Sequence, residues 1–394
     1  MTGWKTLALS IFLAVGSPLP SPASLVRLSS MPDPSAFSSE IDADSVREVT
    51  AAGLLRGNQQ GKNTTRSEMN ASSKPSLAVR LRQRAEMLRE IRRFFDDRGF
   101  IEVQPPCLSR DCVVDAFLDP IEVESSQVGL FGELDSPTKF YLQTSPESAM
   151  KRLLAEGAPS IYAITPVFRK GETGARHNVE FSMLEWYEVG GDAASAIELL
   201  GNLAVEVLQS PSFKTVTYRD AFAKHLGFDP IEVPIVDLHG LVDEMDSSLA
   251  ESIGLDRDAL LDVLLSERIE PVFANDTPTI LTRYPLTQAA LAKPCQDDPQ
   301  CAERFELFYR GVELANGYDE LLDADELKKR YEHNNQIRMA HGRPALAVET
   351  TLLRAMRQGL PACSGVALGI DRLLMLRVDA HSIEDVVPLP TTRA

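Results

Sequence analysis

The sequence predicts an α+β fold, an antiparallel sheet flanked by helices, from three observations. The apolar run Ile161, Tyr162, Ile164, Val167 and Phe168 ends at Arg169, and after a charged loop residues 181–187 return with strand character, which makes a hairpin. Phe305, Leu307 and Tyr309 recur with the period of two that marks a half-buried strand. Leu81, Ala85, Leu88, Ile91 and Phe95 recur at helical spacing.

Ordered structure is expected from Ser76, with the first helix stopped by Gly99. Its other face carries Arg80, Arg82, Arg84, Arg89 and Arg93, which reads as a solvated face paired with Glu86 and Glu90 rather than a nucleic-acid site. Further on, Thr144-Ser145-Pro146-Glu147 leads into Met150, Leu153 and Leu154 before Gly157. Serine is expected to cap this helix, proline to take its first position, and the hydroxyl and Glu147 to face a pocket.

The hairpin is the segment richest in chemistry. A guanidinium at a strand end offers several donors in a fixed fork that fits phosphate oxygens, so Arg169 can hold a phosphate. Phe181 and Glu185 share one face of the returning strand. A nucleotide can therefore sit beside an amine, although the segment alone also reads as a charged surface hairpin.

Residues 190–290 alternate helical patterns, at 194–208, 218–226 and 256–265, with loops, and Thr279-Ile280-Leu281 marks a return to the sheet. After the strand at 303–312, Glu313 and Glu320 flank Asn316-Gly317, read as a bend. The two acids can converge on one hard cation such as magnesium, or remain surface acids. Near the C-terminus, Gly365 and Gly369 leave room for a base against the backbone, and Arg372 can stack on that base or reach a terminal phosphate.

Length allows two or three domains, and a composition of 44% hydrophobic and 25% charged residues supports a sizeable core. The net charge of −17 falls wholly after residue 75, the first 75 residues being close to neutral, which disfavours extended contact with a phosphate backbone. Cys107, Cys112, Cys295, Cys301 and Cys363 are odd in number and lack metal-ligand spacing, so buried thiols in a reducing cytoplasm are expected. Residues 1–75 are expected to be a disordered or mis-started extension. The run at 7–15 followed by Ser21-Pro22-Ala23 has the pattern of a short secretory signal, but Met31 or Met69 is the preferred start, and no run long enough to span a membrane follows.

Three stretches in order carry a resemblance. Arg93-Phe94-Phe95-Asp96-Asp97-Arg98-Gly99-Phe100-Ile101-Glu102-Val103-Gln104-Pro105-Pro106 is similar to motif 1 of the class II aminoacyl-tRNA synthetases. The hairpin, with Phe168-Arg169-Lys170-Gly171-Glu172, Arg176-His177-Asn178-Val179-Glu180-Phe181 and Leu184-Glu185-Trp186-Tyr187, is similar to motif 2 in its lysyl-tRNA synthetase form, and Ser364-Gly365-Val366-Ala367-Leu368-Gly369-Ile370-Asp371-Arg372-Leu373 to motif 3. The resemblance covers roughly residues 77–390 and implies a class II catalytic domain at 76–394, with a mainly helical insertion at about 190–290.

It also implies ATP and Mg2+, a homodimer built on motif 1, and in-line attack of a substrate carboxylate on the α-phosphate. Arg169 would meet the α-phosphate, and Lys170, Gly171, Glu172, Phe181, Leu314, Gly369 and Arg372 the rest of ATP. Asn178 would lie near the substrate carboxylate and Glu313 at magnesium. Ser145, Pro146, Glu147, Glu185 and Tyr187 would hold a lysine-like substrate. Glu320 has two implied places, at the metal or at the substrate amine.

Lysyl-tRNA synthetases carry an anticodon-binding OB-fold before motif 1, and no such pattern stands there in this chain. The resemblance is therefore stronger to short relatives that activate (R)-β-lysine as an adenylate and pass it to a lysine of elongation factor P, in the cytoplasm, with tRNA an unlikely partner. Ala367 stands where the synthetases usually carry glycine, and its methyl would reshape the pocket for a shifted amino group. Charging of tRNA and a non-catalytic paralogue are the alternatives. Departures fall at Val179, at Gln104, and at Lys170-Gly171-Glu172, where the acid comes one residue late.

Overall fold

The computed structural model describes residues 75–129 and 138–394; the expectations for residues 1–74 lie outside the described residues. In chain order the helices and strands are α1 (Leu77–Asp96), β1 (Ile101–Glu102), β2 (Leu108–Ser109), β3 (Ile121–Glu124), α2 (Ser125–Val128), β4 (Lys139–Leu142), α3 (Glu147–Ala155), β5 (Ile161–Phe168), β6 (Glu180–Val189), α4 (Ala193–Leu208) and β7 (Lys214–Thr217). They continue with α5 (Tyr218–Leu226), α6 (Ile235–Asp243), α7 (Ser247–Ile253), α8 (Arg257–Leu264), β8 (Thr279–Pro285), β9 (Cys301–Tyr309), β10 (Val312–Asp319), α9 (Ala324–Ala340), α10 (Thr351–Gly359), β11 (Cys363–Gly369) and α11 (Ile370–Arg377).

Eight strands form the central sheet in the order β1-β5-β6-β11-β10-β9-β8-β7. All neighbours are antiparallel except β1 with β5 and β7 with β8, in keeping with the expected α+β class. A small sheet, β2-β4-β3, stands apart from it.

Ser76 caps α1, its hydroxyl accepting from the Val79 N–H. The helix buries Met87, Ile91, Phe94 and Phe95, whereas Leu81 and Ala85, expected on the same stripe, are exposed. The core beneath α1, with Tyr162, Trp186, Leu200 and Leu203, meets only its second half. Phe95 stacks on Tyr162 with centroids 4.8 Å apart. The expected pairing of arginines with Glu90 is replaced by longer-range contacts. Glu90 is bound by Arg377, Arg80 donates to the carbonyls of Glu384 and Asp385, and Arg84 reaches Asp371 and Ser182. Arg82, Arg89 and Arg93 stay exposed.

The helical region expected at 190–290 divides by packing. Ala196, Leu200, Leu203, Ala204 and Val207 of α4 join the main core. From Tyr218 to Phe273, residues such as Phe222, Leu238, Val242, Leu260 and Leu264 form a second core against Leu281, Tyr284 and Phe308 of the sheet. The helices α6 and α7 and the edge strand β7 were not legible in the sequence pattern. Asp256 is the N-cap of α8 rather than its first residue, accepting from the N–H groups of Asp258 and Ala259.

Two local expectations are corrected. The strand expected through Val312 turns at Arg310-Gly311, both with positive φ, so that Tyr309 pairs with Val312. Asn316-Gly317 is therefore no bend but lies inside β10, where Gly317 packs under Phe305 and Val366. At α3, Pro146 is the N-cap and Ser145 makes no side-chain capping bond, a shift of one residue from the expected cap.

Candidate active site

Cross-strand register lines the site up on one face of the sheet. Glu185 pairs with Ala367, Ala367 with Asn316, and Asn316 with Glu306, a single row across β6, β11, β10 and β9. In the next row Tyr187 pairs with Gly365, Gly365 with Tyr318, and Tyr318 with Arg304. Neighbouring strands lie about 4.8 Å apart, so residues two strands apart can meet one small molecule.

At one end of this face is a cationic cleft lined by Glu172, Arg176, His177, Asn178, Phe181, Gly369, Asp371, Arg372 and Ile383. Beside it Arg169 is 2% exposed, its Nε donating to the Thr144 carbonyl and its guanidinium lying 5.0 Å from the Phe181 ring centroid. Burial lowers its pKa to about 10, with Arg372 adding to the effect and Glu172 opposing it, so it stays charged. The motif departure at 170–172 finds its explanation here. The backbone turns from the Arg169 carbonyl to the Glu172 N–H, with Gly171 at φ +78, and carries Glu172 back inside, 3.7 Å from Arg169. Lys170 and Gly171 are exposed on the turn.

Arg372 Nη2 lies 2.7 Å from His177 Nε2. A guanidinium has no acceptor, so this nitrogen of His177 accepts and the ring is neutral. Burial, then Arg372, Arg169 and Arg176, push the imidazole down to about 4. Asp371 fixes this end from below, accepting from the Ser182 N–H at 2.7 Å and from Arg84. Asn178, expected near the substrate carboxylate, instead lines the cationic cleft. Its amide donates to the Glu180 carbonyl and its oxygen accepts from the Thr391 N–H. Leu314 has its side chain in the core, so only its backbone can serve the cleft.

At the other end lies a cluster of buried acids. Glu147, Glu185 and Glu320 are all buried, at 9%, 2% and 2% exposure. Tyr187 donates to Glu185 Oε1 at 2.7 Å, while Glu185 Oε2 is buried without a hydrogen-bond partner. Lys151, one helical turn after Glu147, bridges Glu147 Oε1 at 2.5 Å and Glu320 Oε2 at 2.6 Å. Burial, reinforced by Glu147, pushes Glu185 up to about 8; burial does the same to Glu320, Lys151 opposing and Glu147 assisting. The role expected of Gly365 is corrected here. A Cβ at that position would collide with Glu320 Oε1 and the Tyr187 ring, so the glycine makes room for these two side chains and not for a base.

The expected convergence of Glu313 and Glu320 on one cation does not hold. Both lie along or just beyond the extended strand β10, and seven residues of strand span about 23 Å. The register shift between Glu313 and Ala315 creates a different neighbour. Glu313 pairs with Phe308, two residues from Glu306 on the same face of β9, which makes Glu306 and Glu313 diagonal neighbours about 7–8 Å apart at the backbone. Glu306 also accepts from Tyr284 and Arg304, each at 2.5 Å. Among the described residues, no group of three or more His, Cys, Asp or Glu side chains is placed to hold a metal ion. A site here would rest on two carboxylates and phosphate oxygens, the donor set magnesium prefers.

Sequence reasoning missed Glu306, Lys151, His177 and Asn316. Asn316 sits in the central row with its side-chain oxygen buried and without a hydrogen-bond partner. Lys151 was legible only as an i,i+4 partner of Glu147; nothing local links it to Glu320.

Comparison with known proteins agrees with this geometry. The family described as tRNA synthetases class II (D, K and N) matches residues 62–393. Proteins named elongation factor P--(R)-beta-lysine ligase from Klebsiella pneumoniae and Yersinia pestis are each 41% identical over 325 residues, covering 82% of this chain and 99% of the relative.

Proposed function

This chain belongs to the class II tRNA synthetases of the D, K and N group, and we propose that it joins (R)-β-lysine to a lysine side chain of elongation factor P at the expense of ATP. The observation that carries this reading is the pairing on one sheet face of a cationic cleft with a pocket of three buried glutamates, one of which has an unpartnered oxygen. A buried carboxylate in that state calls for a cation, and a diamino acid supplies two.

In the first step a substrate carboxylate oxygen attacks the α-phosphorus, forming the acyl adenylate and releasing pyrophosphate. In the second, the acceptor lysine amine attacks the acyl carbon and AMP leaves. Both steps depend on positioning and charge neutralisation more than on proton transfer. Arg169 meets the α-phosphate, with Phe181 beside the base and Glu172 holding the guanidinium. Arg372, with Arg176 and neutral His177, takes the terminal phosphates, and Gly369 leaves the cleft open. Glu306 and Glu313 would hold Mg2+, which neutralises phosphate charge. Ser145 and Pro146 start the helix that presents Glu147; Glu147, Glu185, Tyr187 and Glu320 receive the amines, and Asn316 faces the substrate carboxylate.

Homodimer formation through α1 and β1 is part of the proposal, supported by Leu77, Val79, Leu81 and Ile101, which are apolar and exposed there. So are a cytoplasmic location, where ATP is available, and a catalytic domain spanning 76–394. No described helix is long and apolar enough to cross a membrane. The test is pyrophosphate exchange with (R)-β-lysine and α-lysine, followed by mass analysis of elongation factor P. The expected result is β-lysine-dependent exchange and a mass gain on one acceptor lysine; charging of tRNA with no gain on the protein would overturn it.

A further inference from the structure

Lys151 has no part in the scheme above, and we propose that it is the positioning residue that fixes Glu147 and Glu320 as paired receptors for the substrate's amines and offsets one of their charges. The inference rests on the diamino-acid reading of the site and deepens it.

Lys151 is 2% exposed, and its ammonium joins α3 to the residue after β10, far apart in the chain. Three neighbouring buried carboxylates repel one another, and burial favours their protonated forms. A neutral carboxyl is a poor receptor for an ammonium ion. Burial works against the charge of Lys151, yet Glu147 and Glu320 outweigh it and hold the amine above its ordinary pKa. The fixed ammonium takes one oxygen from each glutamate. Once Glu185 and Glu320 have given up the protons that burial favours, the three acids carry three negative charges against one positive, a balance equal and opposite to two substrate ammonium groups.

The other groups around Lys151 do not alter that count. Tyr187 lies with its ring centroid 5.7 Å from Nζ, and its hydroxyl, like those of Tyr318 and Tyr331, is raised by burial and neutral. Burial likewise raises the Cys363 thiol to about 12. Asp319 is paired with Lys293 at 2.7 Å. An ion pair kept only for stability would need one carboxylate; Lys151 engages two, and both line the substrate pocket.

The experiment measures pyrophosphate exchange by the full chain, wild type and Lys151→Met, with (R)-β-lysine and ATP varied separately across pH. Removing one partner of a buried charge cluster is expected to raise the KM for β-lysine about 100-fold. The KM for ATP should stay within about twofold of wild type. The acid limb of the kcat/KM profile should move to higher pH, because Glu320, without the ammonium that opposes its upward shift, keeps a proton that must leave before an ammonium binds. In Lys151→Met/Glu320→Gln the charge count is restored, and the acid limb should return towards wild type even if the KM stays raised. An unchanged β-lysine KM and acid limb in Lys151→Met would overturn the inference. So would equal losses towards both substrates, with a lowered melting temperature and no return in the double variant, since that marks a merely structural lysine. Failure of wild type to exchange with any diamino acid would overturn the functional reading itself.

Discussion

Ala367 stands directly opposite Glu185 in the register of β11 with β6, so its methyl borders the carboxylate that awaits the substrate amine. On its other side it pairs with Asn316. One methyl group thus lies between the receptors for the two ends of a lysine-like substrate.

Replacing Ala367 with glycine should open the pocket and move selectivity from (R)-β-lysine towards α-lysine. One methyl in a pocket discriminates by about 10–200-fold, so the ratio of the two kcat/KM values should shift within that range. The added cost to stability is about 0.5–1 kcal/mol for glycine in a strand. Exchange kinetics with both isomers measure the first, and urea unfolding the second.

The cluster of buried acids should make the empty protein less stable at alkaline pH. Glu185 and Glu320 have folded pKa values of about 8 against 4.5 for the free side chain, so the folded state keeps protons that the unfolded state gives up in that window. Stability therefore falls as pH rises from 4.5 to about 8. Glu185→Gln should flatten the slope while lowering kcat/KM for β-lysine about 100-fold or more. Thermal melts across pH, with and without β-lysine, will show it; a ligand-induced shift that grows with pH is expected.

His177 acts in the opposite sense. Its folded pKa of about 4 lies below the free value of 6.5, so the unfolded state binds the extra proton between them. Stability contributed by the neutral ring is lost as pH falls through this window. His177→Leu should reduce acid sensitivity between pH 6.5 and about 4 and should weaken ATP binding, because Arg372 loses the acceptor that aims it. Melts at mild acid pH and ATP titrations separate the two effects.

Arg84 connects α1 to the cationic cleft through Asp371 and Ser182. Arg84→Met leaves Asp371 buried with its Ser182 N–H bond alone. The KM for ATP should rise about tenfold, and that for β-lysine should not change. Parallel rises in both would assign the contact to general stability instead.

Much of the site was legible because it is local. Arg169 at a strand end, Phe181 and Glu185 two pairs apart on one strand, and Glu147 at a helix start all follow from the chain's own periodicity. The misreadings arose where a partner comes from elsewhere. Asn316-Gly317 looks like a bend, yet Phe305 and Val366 pack against that glycine within a strand. Gly365 looks like space for a base, yet the space belongs to Glu320 and Tyr187. The late acid of the 169–172 turn looks like a defect, and Gly171 corrects it.

The sequence by itself determined the fold class, the hairpin with its arginine, the acids, and the family to which they belong. Tertiary structure decided which acids become neighbours: Glu306 and Glu313 on adjacent strands through a strand irregularity, and Glu147 and Glu320 through Lys151. The physical reason is that period and capping are properties of a few neighbouring residues, whereas register, bulges and buried charge pairing depend on segments that meet only when the sheet closes.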